Sequence, residues 1–215
     1  MKRKFSFLVF TFILSFTLFA QDTPSPYLFD EFQDGYVVYK DGRKFSVKLN
    51  FNLVTGKYLF KEKTDSLEKE FTEPEMVLSM LIDDRTFLMS AGKATELIQV
   101  NPQFLVYYVG LKKKAPDKIS YGGTSETASV DSYTSLAGKG LISGVRENNR
   151  IITDVHKTYK VQVGKRNRNF YNKRTFLKIF PKQKRPIIES YIDDKNVNFD
   201  SVEQVFALYQ YVISL

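Results

Sequence analysis

The chain contains no cysteine, and histidine occurs once, as His156. The first absence excludes a disulfide framework, a thiolate zinc site and a cysteine-borne lipid. The second excludes any constellation that needs two imidazoles, His-x-x-x-His zinc sites among them. Long hydrophobic runs are scarce as well. Residues 5–20 follow Lys2, Arg3 and Lys4 and fall short of the roughly 20 apolar residues that span a bilayer as a helix. A basic start, a short apolar segment and a small residue before Gln21 form the pattern of an export signal peptide over residues 1–20. No second run of that kind follows, so no transmembrane span is expected after cleavage. The expected location is the periplasm, the cell surface or the extracellular space. Without disulfides the exported chain must hold together by burial alone, and about 195 residues suffice for one sizeable core, or one core with a small satellite.

Acidic residues are missing from one long stretch. Between Val155 and Ile188 there is no Asp or Glu, but there are eleven Lys and Arg. The formal net charge of the whole chain is +8, and loss of Lys2, Arg3 and Lys4 with the signal lowers it by three. What remains is therefore concentrated at one end of the molecule. Within the stretch, Lys165, Arg166, Arg168, Lys173 and Arg174 surround Phe170 and Tyr171, and Lys178, Lys182, Lys184 and Arg185 follow. Basic residues interleaved with aromatics can track a polyanion. In an exported protein the candidates are an anionic envelope surface, lipid phosphate or acidic glycan, or a partner protein, with nucleic acid a poor fit to that location. A solvated basic face that keeps the chain soluble is the plain alternative.

The local patterns describe a strand-rich chain with a helical end. Residues 21–34 read as a linker, because Pro24 and Pro26 discourage regular structure. "YVVYKDGRKFSVKLNF" places Asp41-Gly42 between two β-prone runs, a hairpin signal since Gly accepts the positive φ of a tight primed turn. "KYLFKEK" and "LEKEF" continue a meander. "TEPEMVLSMLIDDRTFLMSAG" fits either a hairpin turning at Asp83-Asp84 or a helix begun by a Thr72/Glu75 capping box, and the short apolar runs favour the hairpin. "TELIQV" and "QFLVYYVGL" read as strands, the second buried on both faces. "RIITDVHKTYKVQVGK" reads as one long strand or a bent pair, and "RNRNFYNKR" as the crossing into a different region. From Thr175 the spacing becomes helical on either side of Pro181, with Pro186 in a first turn and Asp200/Glu203 as a capping pair for the last helix. The expected fold is α+β. An antiparallel β-rich meander domain spans residues 35–172, with a long Ser/Thr/Gly loop over 115–140, and a short C-terminal helical tail over 173–215 packs on it.

The quoted hairpin segment, the "YGGTSETASVDSYTSL" stretch and "FLKIFPKQKRPIIESYI" together resemble a group of uncharacterised exported proteins of Bacteroidota. The resemblance covers most of the chain after the signal. It implies the same order of elements and an envelope location, and it carries no activity.

Catalytic motifs find little support. The Ser/Thr/Gly stretch lacks the Gly-Lys-Ser/Thr of a P-loop, since Lys139 is followed by Gly140. It also lacks the Gly-x-Ser-x-Gly of a nucleophile elbow. Asp154 and His156 share one face of an extended strand with no activated serine beside them, so a half-buried strand histidine is expected. Asp83-Asp84 and Asp193-Asp194 are sequence neighbours and diverge on a strand or a helix, which suits turn and helix-end solvation better than a dyad. No metal or cofactor site is expected. The expectation is a non-enzymatic exported binding or interaction module of the cell envelope with a basic face. The alternatives are a hydrolase whose site is assembled from distant residues and a structural subunit of an envelope assembly.

Overall fold

A computed structural model of the chain describes residues 25–90, 92–114 and 150–215, with the backbone of two short strands between the last two of these segments. The strands are β1 (Gln33–Tyr39), β2 (Lys44–Asn52), β3 (Lys57–Lys61), β4 (Lys69–Glu70), β5 (Val77–Ile82), β6 (Arg85–Leu88), β7 (Ala94–Gln99), β8 (Phe104–Lys114), β9 (Asp117–Lys118), β10 (Thr124–Ser125), β11 (Arg150–Val163) and β12 (Arg166–Phe170). Among the described residues the helices are α1 (Lys173–Lys178), α2 (Arg185–Asp194) and α3 (Val202–Ser214), with short 3₁₀ turns at Pro74–Met76 and Lys182–Lys184. Residues 1–20, where the export signal is expected, lie outside the described residues. So does most of the Ser/Thr/Gly stretch, of which β9 and β10 pair with each other in a small separate sheet.

Ten strands form one antiparallel sheet in the order β12-β11-β8-β7-β6-β5-β1-β2-β3-β4. It consists of two meanders joined edge to edge where β1 pairs with β5. The α+β expectation is met, and the turn chemistry explains much of it. Gly42 takes φ +88° in the β1–β2 turn, while Asp83 and Asp84 both adopt positive φ between β5 and β6. The Asp83-Asp84 turn settles that segment as a hairpin. Asp tolerates this left-handed conformation better than most side chains because its short carboxylate can bond locally.

The sheet curls on itself. Leu53, just past β2, reaches β8, and a Cβ on Gly110 would sit 2.9 Å from the Leu53 Cβ, so only glycine admits this approach. At the hairpin tips a Cβ on Gly56 would lie 2.7 Å from the Gly92 Cα. The enclosed face carries Val37, Leu49, Phe51, Tyr58, Met80, Ile82 and Phe87, all buried. Tyr58 ties the curl together: its hydroxyl accepts from the Thr95 N–H and donates to the Leu88 carbonyl.

The helices close the other part of the same face. Phe104 packs against Tyr159, Phe206 and Tyr209, and Phe170 against Phe176 and Phe199. The Tyr209 hydroxyl donates to the Gln162 carbonyl at 2.6 Å, and Tyr159 to that of Phe199 at 2.7 Å. Phe176, Phe180, Ile188, Ile192, Val205, Leu208 and Tyr209 are buried, and Phe206 is half-buried. Sheet and tail thus share one core.

Several expectations are corrected. Residues 25–32 are pinned to β2 instead of forming a free linker: Leu28 donates to Phe51, Leu53 donates to Pro26, and buried Asn50 bonds the carbonyls of Phe29 and Glu31. The side-chain amide of Asn50 supplies both donor and acceptor to this segment, which prolines alone could not reveal. The segment "RNRNFYNKR" is no crossing but largely β12, the edge strand beyond β11. β8 is covered on both faces only from Phe104 to Val106, because Val109 and Leu111 are exposed on the outer face. His156 is exposed on that outer face, its ring 5.7 Å from Tyr171, and is not half-buried. The cap of α3 is Ser201, whose hydroxyl accepts from Gln204, one residue after the expected Asp200.

Candidate functional site

The registers bring a polar group onto an otherwise apolar face. Glu96 of β7 lies opposite Phe87 of β6 and Val106 of β8, and Lys157 of β11 lies opposite Tyr108 of β8. Strand side chains alternate between faces. Arg85, Glu96, Tyr108 and Lys157 therefore project to the same side as the core.

Glu96 is 4% exposed. A carboxylate that deep must be paired and bonded, and here every oxygen is taken. Arg85 grips it bidentately, Nε to Oε1 and Nη2 to Oε2, both at 2.8 Å. The Tyr108 hydroxyl donates to Oε2 at 2.6 Å and accepts from Arg85 Nη2 at 2.8 Å. The guanidinium carbon also lies 5.2–5.5 Å from the rings of Phe29, Phe87 and Tyr108, within the range of a cation–π contact. Hydrogen bonding to Glu96 pushes Arg85 further toward its charged form. Burial first, then the neighbouring Glu96 charge, pushes the Tyr108 hydroxyl up and keeps it neutral.

Above this group opens a cleft of about 600 Å³. Its far wall is the start of α3, contributed by Asp200, Val202, Glu203 and Phe206. Lys157 Nζ donates to the Asp200 carbonyl and ties β11 to the helix start. Glu203 bonds Ser201 at 2.9 Å. Its own backbone N–H and the Ser201 hydroxyl, and after them the charges of Lys157 and Arg85, hold its carboxyl below the usual range. Glu96 is thus a fixed structural anion, and the groups still open to a ligand are those of Arg85, Lys157, Asp200 and Glu203. Among the described residues no group of three or more His, Asp or Glu could hold a metal ion. No helix among them is long and apolar enough to cross a membrane.

None of these cleft residues is conspicuous in the sequence. Glu96 offers one signal: with Ala94 and Ile98 it shares the inward parity of "ATELIQ", where an acid is out of place. Its partner Arg85 sits on another strand, and only the register joins them.

The basic residues singled out from the sequence fall on consecutive elements at the β12 edge of the sheet. Lys165, Arg166 and Arg168 on the β11–β12 hairpin are exposed, as are Tyr171, Arg174 and Lys178 on and beside α1 and Lys182 in the following 3₁₀ turn. Lys184 is half-buried. Three of the set do other work. Phe170 is 1% exposed and belongs to the core, stacked 5.0 Å from Tyr159, because its position on β12 faces inward. Lys173 is paired with Asp193 at 2.6 Å and Glu189 at 3.4 Å, joining α1 to α2. Arg185 donates to the carbonyls of Phe180 and Lys178 and so closes the end of α1. No protein-family model, no curated protein and no solved structure matches this chain.

Proposed function

We propose that this is a non-enzymatic exported protein of the bacterial envelope, a binding module whose β12–α1 face contacts an anionic envelope surface, lipid phosphate or acidic glycan. The observation that carries the reading is the set Lys165, Arg166, Arg168, Arg174, Lys178 and Lys182. All six are exposed, and none forms an ion pair among the described residues. The nearby acids Glu189 and Asp193 are taken up by Lys173. Export rests on the N-terminal pattern of basic start, short apolar run and small residue.

Each basic residue held near an anionic surface contributes roughly 1 kcal/mol, so three together change binding by about 100-fold. The triple variant Arg166→Glu, Arg168→Glu, Arg174→Glu should lose at least that much affinity for phosphatidylglycerol vesicles and for heparin. Binding of the parent should weaken steeply with salt, because exposed charges are screened over about 10 Å at 0.1 M. Vesicles and heparin separate the lipid from the glycan source. Undiminished binding by the triple variant, or no binding by the parent at low salt, would end the reading. Mass spectrometry of the mature N-terminus tests the export part separately, and an uncleaved cytoplasmic product would remove the envelope.

A further inference from the structure

The cleft above Glu96 offers a second, independent surface. A buried ion pair is weak evidence for stability, since desolvation offsets most of its attraction. Apolar walls with a few convergent polar groups are the usual form of a small-ligand site. Leu28, Ile98, Val155 and Phe206 supply such walls here. Two side chains in the cleft have N–H groups to spare. Arg85 spends Nε and Nη2 on Glu96 and Tyr108 and leaves Nη1 without a hydrogen bond among the described residues, although its side chain is 35% exposed. Lys157 has three N–H groups and gives one to the Asp200 carbonyl. Arg85 at the floor and Lys157 beside the helix start bring two cationic groups with N–H donors to spare into one cleft, which suits a carboxylate.

The charges, however, exclude a simple anion. Glu96 already neutralises Arg85, which leaves Lys157 alone against the carboxylates of Asp200 and Glu203 on the helix side. An anion would add to a negative excess, and a bare cation would leave these donors unmatched. A ligand with both charges meets both sides. The geometry points to a binding site for a small zwitterion with an apolar side chain, of the class of a free apolar or aromatic α-amino acid. Its carboxylate lies on Arg85 and Lys157, its ammonium toward Asp200 and Glu203, and its side chain against Ile98, Val155 and Phe206.

Titration calorimetry on the chain as cells produce it, at low salt, tests this with three probes: L-phenylalanine, 3-phenylpropionate without the ammonium, and phenethylamine without the carboxylate. L-Phenylalanine should bind, and each half-ligand should bind about tenfold more weakly or worse, the loss of one charge-assisted contact. Lys157→Met should weaken phenylalanine about tenfold and leave phenethylamine unchanged, and Glu203→Gln should weaken phenylalanine while sparing phenylpropionate. Both positions are surface-accessible enough that circular dichroism should show an intact fold. No heat with phenylalanine at about 10 mM, weaker than any specific site of this kind, would overturn the assignment. So would equal binding of either half-ligand, or phenylalanine binding that both variants leave untouched. Loss of vesicle binding in the arginine variant bears only on the β12–α1 face, so the two readings fail separately.

Discussion

Glu96 is held by donors from two strands besides its own, so removing any member of the group leaves another stranded. Glu96→Ala strips Arg85 of its bidentate partner in a site ringed by Phe29, Phe87 and Tyr108. Breaking a fully buried pair typically costs roughly 3–5 kcal/mol, and the partial exposure of Arg85 should reduce this to about 2–3 kcal/mol. The double variant Arg85→Met, Glu96→Met should recover much of that loss, because it removes both charges and refills the space. Urea denaturation of the two single variants and the double variant measures the cycle, and strict additivity would show that the pair does not act as a unit. Asn50 presents a similar case without charge. It is fully buried and ties residues 25–32 to β2 through bonds to Phe29 and Glu31. Asn50→Ala should therefore cost about 1–3 kcal/mol and expose the backbone N–H of Leu28 to hydrogen exchange. A protected Leu28 in that variant would mean that the segment docks by other contacts. Neither partner is legible in the sequence: the inward parity of Glu96 marks it as out of place, but nothing local points to Arg85, and nothing near Asn50 points to Phe29 or Glu31.

At the scale of elements, the helical tail is the part whose docking is most open to test. Phe176 of α1 is fully buried among Phe170, Phe180 and Phe199. Cutting such a ring to Ala costs roughly 3–5 kcal/mol through lost burial and the cavity left behind. Phe176→Ala should lower the melting temperature by several degrees, and the loss should appear in one transition, because tail and sheet share a core. A separate early transition would make the tail an independent unit. The elements that could be read from the sequence are those specified locally. The β1–β2 and β5–β6 hairpins are visible in Asp41-Gly42 and Asp83-Asp84, residue types that accept the positive φ these turns require. β12 carries no strand pattern in the sequence because its five residues expose Arg166, Asn167, Arg168 and Asn169 and bury only Phe170. An edge strand gains its place from β11, and charged residues along it discourage pairing with other chains. The cleft was illegible for the same reason: it needs the β6–β7–β8–β11 registers and the docking of α3 at once.

For the whole molecule, the tyrosines make folding sensitive to alkali. Hydrogen bonding to Glu68, added to desolvation as the largest cause, pushes Tyr27 up to about 12. Burial likewise pushes up Tyr58, Tyr108, Tyr159 and Tyr209. These residues sit in the N-terminal segment, β3, β8, β11 and α3, so the effect is spread over the entire core. A tyrosine is neutral when protonated and titrates near 10 in the unfolded chain. With the folded value raised, the folded state binds more protons than the unfolded state once the pH passes about 10. Stability is then fully present below pH 10 and is lost as the pH rises toward and through the folded values, a loss complete by about pH 12 in the case of Tyr27. No carboxylate shift acts in that window, because the lowered values of Glu203, Asp41 and Asp65 lie at the acid end. Urea midpoints measured between pH 8 and about 11 should stay level up to pH 10 and fall steadily above it. Tyrosinate absorbance should rise in two stages, the exposed rings first and the buried ones together with unfolding. Tyr58→Phe removes one buried hydroxyl and should flatten the alkaline slope, at the cost of the bond that Thr95 donates to it. If all tyrosines ionise in a single step near pH 10 with the fold intact, the curled sheet and its helical cover are not packed as described.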